Sequence, residues 1–221
     1  MRASGGQEKL LKRSAILRAA VAVIADRGYA GARMSDVAHE AEVADGTLYL
    51  YFEGKEDLLV SILEEYAEAF LVRARRDIEG VESARERLRR VLTRHLASLE
   101  ADRPLAHVFQ IELRHTRRFL RRVAKGKVAD YLHFLQEIVS HGVARGEFRA
   151  DVPVEVAARA VFGAVDECVT AWVLAARPEP LTPQAEPLLK VLLQGLAKSK
   201  DEGCEGEDEP APARRAGGGK A

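Results

Sequence analysis

Apolar residues recur along the chain at intervals of three and four, and no run alternates apolar with polar residues between turn signals. The pattern therefore predicts helices throughout and no sheet. Ile16, Ala20, Val23 and Ile24 share one face of a first helix that stops at Gly28. Two short helices follow over 35–41 and 45–51. A long one over 55–79 repeats Leu58, Leu59, Ile62, Leu63, Tyr66 and Phe70 until Gly80 breaks it. Further helices are predicted over 84–101, 105–113, 117–145, 153–176 and 182–198. Asp102-Arg103-Pro104, Arg145-Gly146-Glu147 and Arg177-Pro178-Glu179-Pro180 punctuate them.

The periodicity divides the chain into a flexible arm over 1–11, a small helical domain over 12–54, a larger helical domain over 55–199 and a tail over 200–221. The tail is rich in Gly, Glu, Asp and Pro and lacks apolar periodicity, so it is expected to be disordered. With 221 residues, 47% hydrophobic and 31% charged, the chain has material for a core and a solvated surface. Collagen-like, disordered and disulfide-scaffold classes are excluded. Cys168 lies in an apolar helical pattern and reads as a small core residue; Cys204 lies in the tail. No apolar run reaches membrane-span length and the first residues lack a signal-peptide core, so a cytosolic protein with no membrane partner is expected.

The formal charge is zero, but its distribution is lopsided: residues 71–128 hold 16 Arg and Lys against 7 Asp and Glu, whereas residues 1–55 hold 8 against 7. Any nucleic-acid contact in the first segment must rest on a few placed groups. Such groups are present. Helices of seven residues joined by Glu42-Val43-Ala44 are too short to stand alone. Val37, Ala38, Ala41, Val43, Leu48 and Phe52 are spaced to bind them into one core, which is the helix-turn-helix plan. Ser35 can cap the first of the pair. Gly46 and Thr47 leave amides and a hydroxyl for a phosphate, Tyr49 and Tyr51 carry phenols, and Lys55 is a point charge at the next helix start.

In the larger domain, the helix from Pro153 has an apolar stripe through Val161, Phe162, Val165, Val169 and Trp172. On its other flank Ala160, Gly163, Ala164 and Ala171 allow close helix approach. Apolar character on two sides predicts burial on both, one against the protomer's core and the other, with the leucine-rich last helix, either against a second copy or within the same chain's core. Asp166 and Glu167 interrupt the stripe; they either face solvent or pair with arginines of a pocket. Leu105, Val108, Phe109 and Leu113 form an apolar face, followed by Arg114, Arg117, Arg118, Arg121 and Arg122. That segment reads either as a solvated basic face or as the wall and head-group site for an amphiphile with a phosphorylated head, since Arg binds phosphate through paired donors.

Gly28-Tyr29, Ser35-Asp36-Val37-Ala38, Gly46-Thr47-Leu48-Tyr49-Leu50-Tyr51-Phe52 and Lys55-Glu56-Asp57-Leu58-Leu59 resemble the DNA-binding signature of TetR-type transcriptional regulators. The departures are Ala32 where Thr is frequent, Glu42 where the turn usually has Gly, and Ala44 where Ser is frequent, with Asp45 placed to take over part of the capping. The resemblance implies an all-α fold, with a three-helix DNA-binding domain and a larger ligand-binding and dimerisation domain. It also implies a homodimer on a palindromic operator, met through Arg33, Ser35, Asp45, Gly46, Thr47, Tyr49, Leu50, Tyr51 and Lys55. Val43-Ala44-Asp45-Gly46-Thr47, Gln110-Ile111-Glu112-Leu113-Arg114 and Phe162-Gly163-Ala164-Val165-Asp166-Glu167-Cys168-Val169-Thr170-Ala171-Trp172 are similar to the TetR-fold FadR repressors of fatty-acid degradation. In that group long-chain acyl-CoA is the effector. Phe109, Tyr131, Phe134, Leu135, Phe162 and Trp172 would then line the acyl tunnel, with Leu113 and Asp166 also at the ligand site and Arg114, Arg117, Arg118 and Arg121 at the CoA phosphates. No cofactor is implied.

Two rivals remain at the level of sequence. One is a TetR-type sensor of another apolar molecule. The other is a di-metal bundle using Glu112 with His115 and Asp130 with His133, which would need a carboxylate from each of two further helices. No nucleophile elbow, phosphate-binding glycine loop or Cys-His pair is present, so no catalytic residue is assigned.

Overall fold

The structure is a computed structural model that describes residues 3–115 and 126–196. Nine α-helices are described, and no strand occurs among these residues. They are α1 (Ala3–Gly31), α2 (Met34–Glu40), α3 (Asp45–Leu48), α4 (Lys55–Asp77), α5 (Ala84–Glu100), α6 (Arg103–Gln110), α7 (Lys127–Ala144), α8 (Val154–Leu174) and α9 (Ala185–Leu196). Short 3-10 turns occupy Glu112–His115 and Thr182–Gln184. The first helix begins at Ala3, so most of the arm expected over 1–11 is helical. Helix α3 is shorter than the sequence pattern suggests, and the helix expected over 105–113 ends at Gln110, with Ile111 as its last cap before the 3-10 turn.

Two apolar cores organise the chain. In the first, Ile16, Ala20 and Ile24 of α1 meet Val37 and Ala38 of α2, Leu48 and Phe52, and Leu58, Leu59 and Ile62 of α4. The second joins α4, α5, α7, α8 and α9 through Phe70, Leu88, Leu92, Phe134, Leu135, Val161, Val165 and Leu189. Helix α4 belongs to both, so it ties the small domain rigidly to the large one. Helix α6 also crosses the boundary: Leu105 and Val108, with Leu113 beyond the helix, bury into the first core. Leu113, expected at the ligand site, therefore lies on the side of the first core. Its side chain is 6% exposed and packs with the helix-turn-helix.

Helix starts are locally encoded. Ser83 accepts a hydrogen bond from the Glu86 amide at the start of α5, and Asp102 accepts from the Leu105 amide at the start of α6, where Pro104 occupies the first turn. No helix of the described residues is long and apolar enough to cross a membrane.

Candidate DNA-binding and effector sites

The helix-turn-helix is assembled by its turn. Glu42 adopts φ 54°, and it is the one non-glycine residue with positive φ among the described residues. The Val43 amide reaches back to Ala38 O at 2.9 Å and the Glu42 amide to His39 O at 3.1 Å, so the chain leaves α2 through a left-handed residue and enters α3 three residues later. A side chain costs about 1–2 kcal/mol in this conformation, partly offset by the greater unfolded-state freedom of glycine. Glu42→Gly is accordingly expected to stabilise the protein by about 0.5–1 kcal/mol, raising the melting temperature by about 2 °C in thermal denaturation. A fall in melting temperature would contradict this account of the turn.

Helix α2 is started by Asp36, whereas the sequence pointed to Ser35. The Asp36 carboxylate accepts from the Arg33 amide at 3.0 Å and pairs with the Arg27 guanidinium at 2.8 Å. Burial pushes its pKa up, but these two partners outweigh it and hold the carboxyl below its usual range. The same Asp36 satisfies an orphan amide and leaves Ser35 exposed. Arg33, Asp45, Gly46, Tyr49 and Leu50 are exposed too, with Tyr49 57% and Leu50 79% accessible. Exposure of an aromatic and a leucine beside a buried Leu48 is unusual for fold reasons alone. Ala44, at the start of α3, supplies no side-chain cap, and Asp45 does not replace one. A Cβ on Gly46 would meet nothing within 4 Å, so the fold itself does not need glycine there. Thr47 and Tyr51 are half-buried, and Lys9 Nζ stands 5.9 Å from the Tyr51 ring centroid.

Lys55 is the main surprise of this surface. Its ammonium does not stand free at the start of α4: it donates to the carbonyl oxygens of Tyr29, Ala30 (3.3 Å) and Ala32 (3.0 Å), and lies 4.5 Å from the Tyr29 ring centroid. Carbonyls left over at the end of α1 attract a cation, and Lys55 is the one the fold brings there.

In the large domain, a continuous row of rings links α6 to α8. Phe109 meets Tyr66 edge-on at 5.0 Å, Tyr66 stacks on Phe70, Phe70 contacts both His95 and Tyr131 at 5.3 and 5.2 Å, and Tyr131 meets Phe162 at 5.8 Å. The structure thus brings Phe109, Tyr131 and Phe162 together as expected. Phe134, Leu135 and Trp172 lie in the same core, Trp172 beneath the Arg103 guanidinium at 5.5 Å. Tyr66 and Phe70 belong to the row although the sequence marked them only as helix-facing residues; their i, i+4 spacing was the available signal. Between α1, α4, α5 and α6 a cleft of about 420 Å³ opens beside Tyr66, lined by Leu17, Val21, Ile62 and Leu105 with Arg18 and Arg73.

His95 lies within this aromatic row, Nδ1 3.0 Å from the Tyr131 hydroxyl. Burial pushes its pKa down to about 4, with the Asp166 charge opposing, so the imidazole is neutral at pH 7. The unfolded chain takes up this proton near pH 6.5, so between about pH 6.5 and pH 4 the unfolded state binds more protons. Stability is full above that window and falls with pH inside it. Unfolding free energy is expected to drop by about 2 kcal/mol from pH 7 to pH 5 through this group. His95→Phe should flatten that part of the profile in urea titrations. An unchanged profile would show that the imidazole is hydrated.

The two C-terminal segments that carry the sequence resemblance converge on one polar cluster. Gln110, 5% exposed, donates from Nε2 to Asp166 Oδ1 at 3.0 Å, and Thr170 Oγ1 lies 2.9 Å from both Gln110 Oε1 and the Asp166 carbonyl. Asp166 is therefore inward-facing and bonded, while Glu167 is exposed. The Arg114 side chain and all of Arg117, Arg118 and Arg121 lie outside the described residues. The carboxylates of the conceivable metal pairs are engaged elsewhere, Glu112 with the Tyr29 amide and Asp130 with Lys127. Among the described residues no group of three His, Cys, Asp or Glu side chains is placed to hold a metal.

Residues 16–62 match the family described as bacterial regulatory proteins, tetR family, and residues 63–195 match that described as YsiA-like protein, C-terminal region. The chain belongs to the TetR family. A TetR-family relative, the fatty acid metabolism regulator protein of Bacillus subtilis, is 37% identical over 190 residues, covering 86% of this chain and 98% of its own. Among solved structures, the fatty acid degradation regulator FadR from Bacillus halodurans is 37% identical and superposes with a TM-score of 0.80, over 84% of this chain and 96% of that one. FadR from Bacillus subtilis in complex with stearoyl-CoA gives 0.79 at 37% identity, over 83% and 98% of the two chains. The first of these likenesses covers 86% of this chain, so it extends well beyond the helix-turn-helix.

Proposed function

We propose that this chain is a transcriptional repressor of fatty-acid-degradation genes, binding a palindromic operator as a dimer and leaving it when long-chain acyl-CoA occupies the large domain. The observation that carries this reading is the 37% identity, over nearly the whole length of both chains, to a regulator solved with stearoyl-CoA. It acts by binding, without catalysis or cofactor, in the cytosol where the operator is.

The geometry supports the DNA-facing and apolar parts of this reading. Exposed Arg33, Ser35, Asp45, Gly46, Tyr49 and Leu50, with the Thr47 hydroxyl and the Tyr51 phenol, form the DNA-facing surface. Amides and phenols there serve phosphates, while Leu50 offers an apolar contact such as a thymine methyl. Lys55, at the start of α4 beside this surface, also fixes the end of α1. Phe109, Tyr131, Phe134, Leu135, Phe162 and Trp172 supply apolar surface for the acyl chain, and Asp166 is oriented by Gln110 and Thr170 at its side. Arg114, Arg117, Arg118 and Arg121 receive the CoA phosphates. The dimer uses α8 and α9: Val156 and Leu174 are 52% and 67% exposed on α8, with Ala160, Gly163 and Ala171 between them, and Val191 of α9 is 67% exposed. Two recognition helices must stand about 34–36 Å apart to meet successive major grooves, so an effector that changes their separation releases the DNA.

The test is a mobility-shift titration on the promoter of its own gene, with palmitoyl-CoA, free CoA and palmitate added separately. Release by the thioester alone is expected, and charge reversal at Arg117 and Arg118 should weaken that release strongly. Indifference to all three compounds would leave a TetR-family regulator with a different effector.

A further inference from the structure

The small and large domains share one contact that is polar, mostly buried and made by a residue to which none of the roles above is given. At Gly28 the backbone takes φ 70°, ψ 158°, a conformation L side chains rarely adopt, and this interrupts α1. The Tyr29 amide is thereby released from the helix, and it donates to Glu112 Oε2 at 2.7 Å. Glu112 lies 83 residues later, at the start of the 3-10 turn after α6, with its side chain only 12% exposed. Its other carboxylate oxygen is 3.6 Å from His107 Nε2. A Cβ at Gly28 would itself rest against the Glu112 carboxylate at 3.6 Å. The carbonyls of the same turn are held from the opposite side by Lys55, the first residue of α4. The turn leading into α2 is thus gripped twice: its amide by the large domain, its carbonyls by the helix that joins the domains.

We propose that Glu112 is a positioning residue that transmits occupancy of the large domain to the helix-turn-helix through the Tyr29 amide. The proposal rests on the reading above that an effector enters beside α6 and α8. Glu112 follows Phe109, which belongs to the aromatic row, by three residues, and Gln110, which is bonded to Asp166 of α8, by two. A shift of α6 against α8 therefore reaches the carboxylate through two peptide units, with no flexible linker between. A charged acceptor on a backbone amide is a strong, directional bond, so a small displacement makes or breaks it. A contact that differs between the two settings of the domains is what coupling between two sites requires. A contact present equally in both would add stability and no coupling.

The experiment uses the full-length dimer, promoter DNA of its own gene, palmitoyl-CoA, and the variants Glu112→Ala and Glu112→Gln. Hydrogen exchange is followed at the peptides covering Tyr29 and residues 105–113, with and without DNA, and operator affinity is measured with and without palmitoyl-CoA. In the wild type, DNA binding should alter exchange at both peptides. In Glu112→Ala, exchange at Tyr29 should speed up without DNA, and the response at 105–113 should vanish. The ratio of operator affinities without and with palmitoyl-CoA should shrink toward one by about tenfold. Glu112→Gln keeps an acceptor oxygen and should retain part of both responses. If DNA-induced protection still reaches 105–113 in a folded Glu112→Ala dimer, the proposal is wrong. If palmitoyl-CoA fails to release the wild type while DNA still changes exchange at 105–113 only when Glu112 is present, the acyl-CoA reading falls and the role of Glu112 stands.

Discussion

Gly142→Ala is expected to lower the unfolding free energy by about 3 kcal/mol and the melting temperature by about 6–12 °C. Gly142 is buried on α7, and a Cβ there would overlap the Phe148 ring and stand 2.9 Å from Ala84 Cβ of α5. The ring cannot swing aside, because its backbone is fixed at both ends. After Gly146, at φ 71°, the amides of Glu147 and Phe148 fold back onto Gly142 O at 2.8 and 3.2 Å. Glu147 then reaches the start of α5, accepting from Ser83 Oγ at 2.9 Å and from the Ala84 and Arg85 amides at 3.2 Å. Burial raises the pKa of this carboxyl, but the amide and hydroxyl donors prevail and hold it below its usual range. One added methyl must therefore separate α5 from α7. Equilibrium urea unfolding reads the effect directly, and a loss under about 1 kcal/mol would mean that the α7–α5 contact relaxes more easily than close packing allows.

Why some of this was readable in the sequence and some was not follows from what each residue type can do. The long amphipathic helices α4, α5 and α8 were legible because leucine and valine at three-and-four spacing have one way to be buried. Gly28 and Asp102-Arg103-Pro104 marked ends for equally local reasons. The carbonyl contacts of Lys55 were not legible because an ammonium on a flexible stem serves a phosphate outside or helix carbonyls inside equally well, and only the fold shows which carbonyls are near. Ser35 and Asp36 are both helix-starting residues one position apart. The extra pull of Arg27, on a different helix, gives the role to Asp36. Leu113 followed the apolar face of α6 in sequence, yet the chain leaves the helix at Ile111 and turns that side chain into the other core. Gln110, Asp166 and Thr170 come from segments over fifty residues apart, and their convergence is a property of tertiary structure alone.

Gly163→Glu is expected to convert the dimer to monomers and to weaken operator binding by at least about 100-fold, since each half-site alone forfeits the effective concentration supplied by its twin. The exposed side of α8 runs through Val156, Ala160, Gly163, Glu167, Ala171 and Leu174, at steps of three and four that keep them on one face. Large apolar side chains stand at the two ends, and Ala160 and Gly163 let a second helix approach closely on the side away from Glu167. A Cβ on Gly163 meets nothing within 4 Å in its own protomer, so the substitution leaves the monomer's packing intact. In a dimer packed through this face it places a second carboxylate in the contact, four residues from the Glu167 carboxylate, where neither burial nor repulsion is compensated. Sedimentation velocity with far-UV circular dichroism separates the two effects: helicity should be retained while the sedimentation coefficient falls to that of a monomer. A variant that stays dimeric with unchanged operator affinity would move the interface off this face of α8. The halves of the palindrome would then have to be spanned by a different pair of helices.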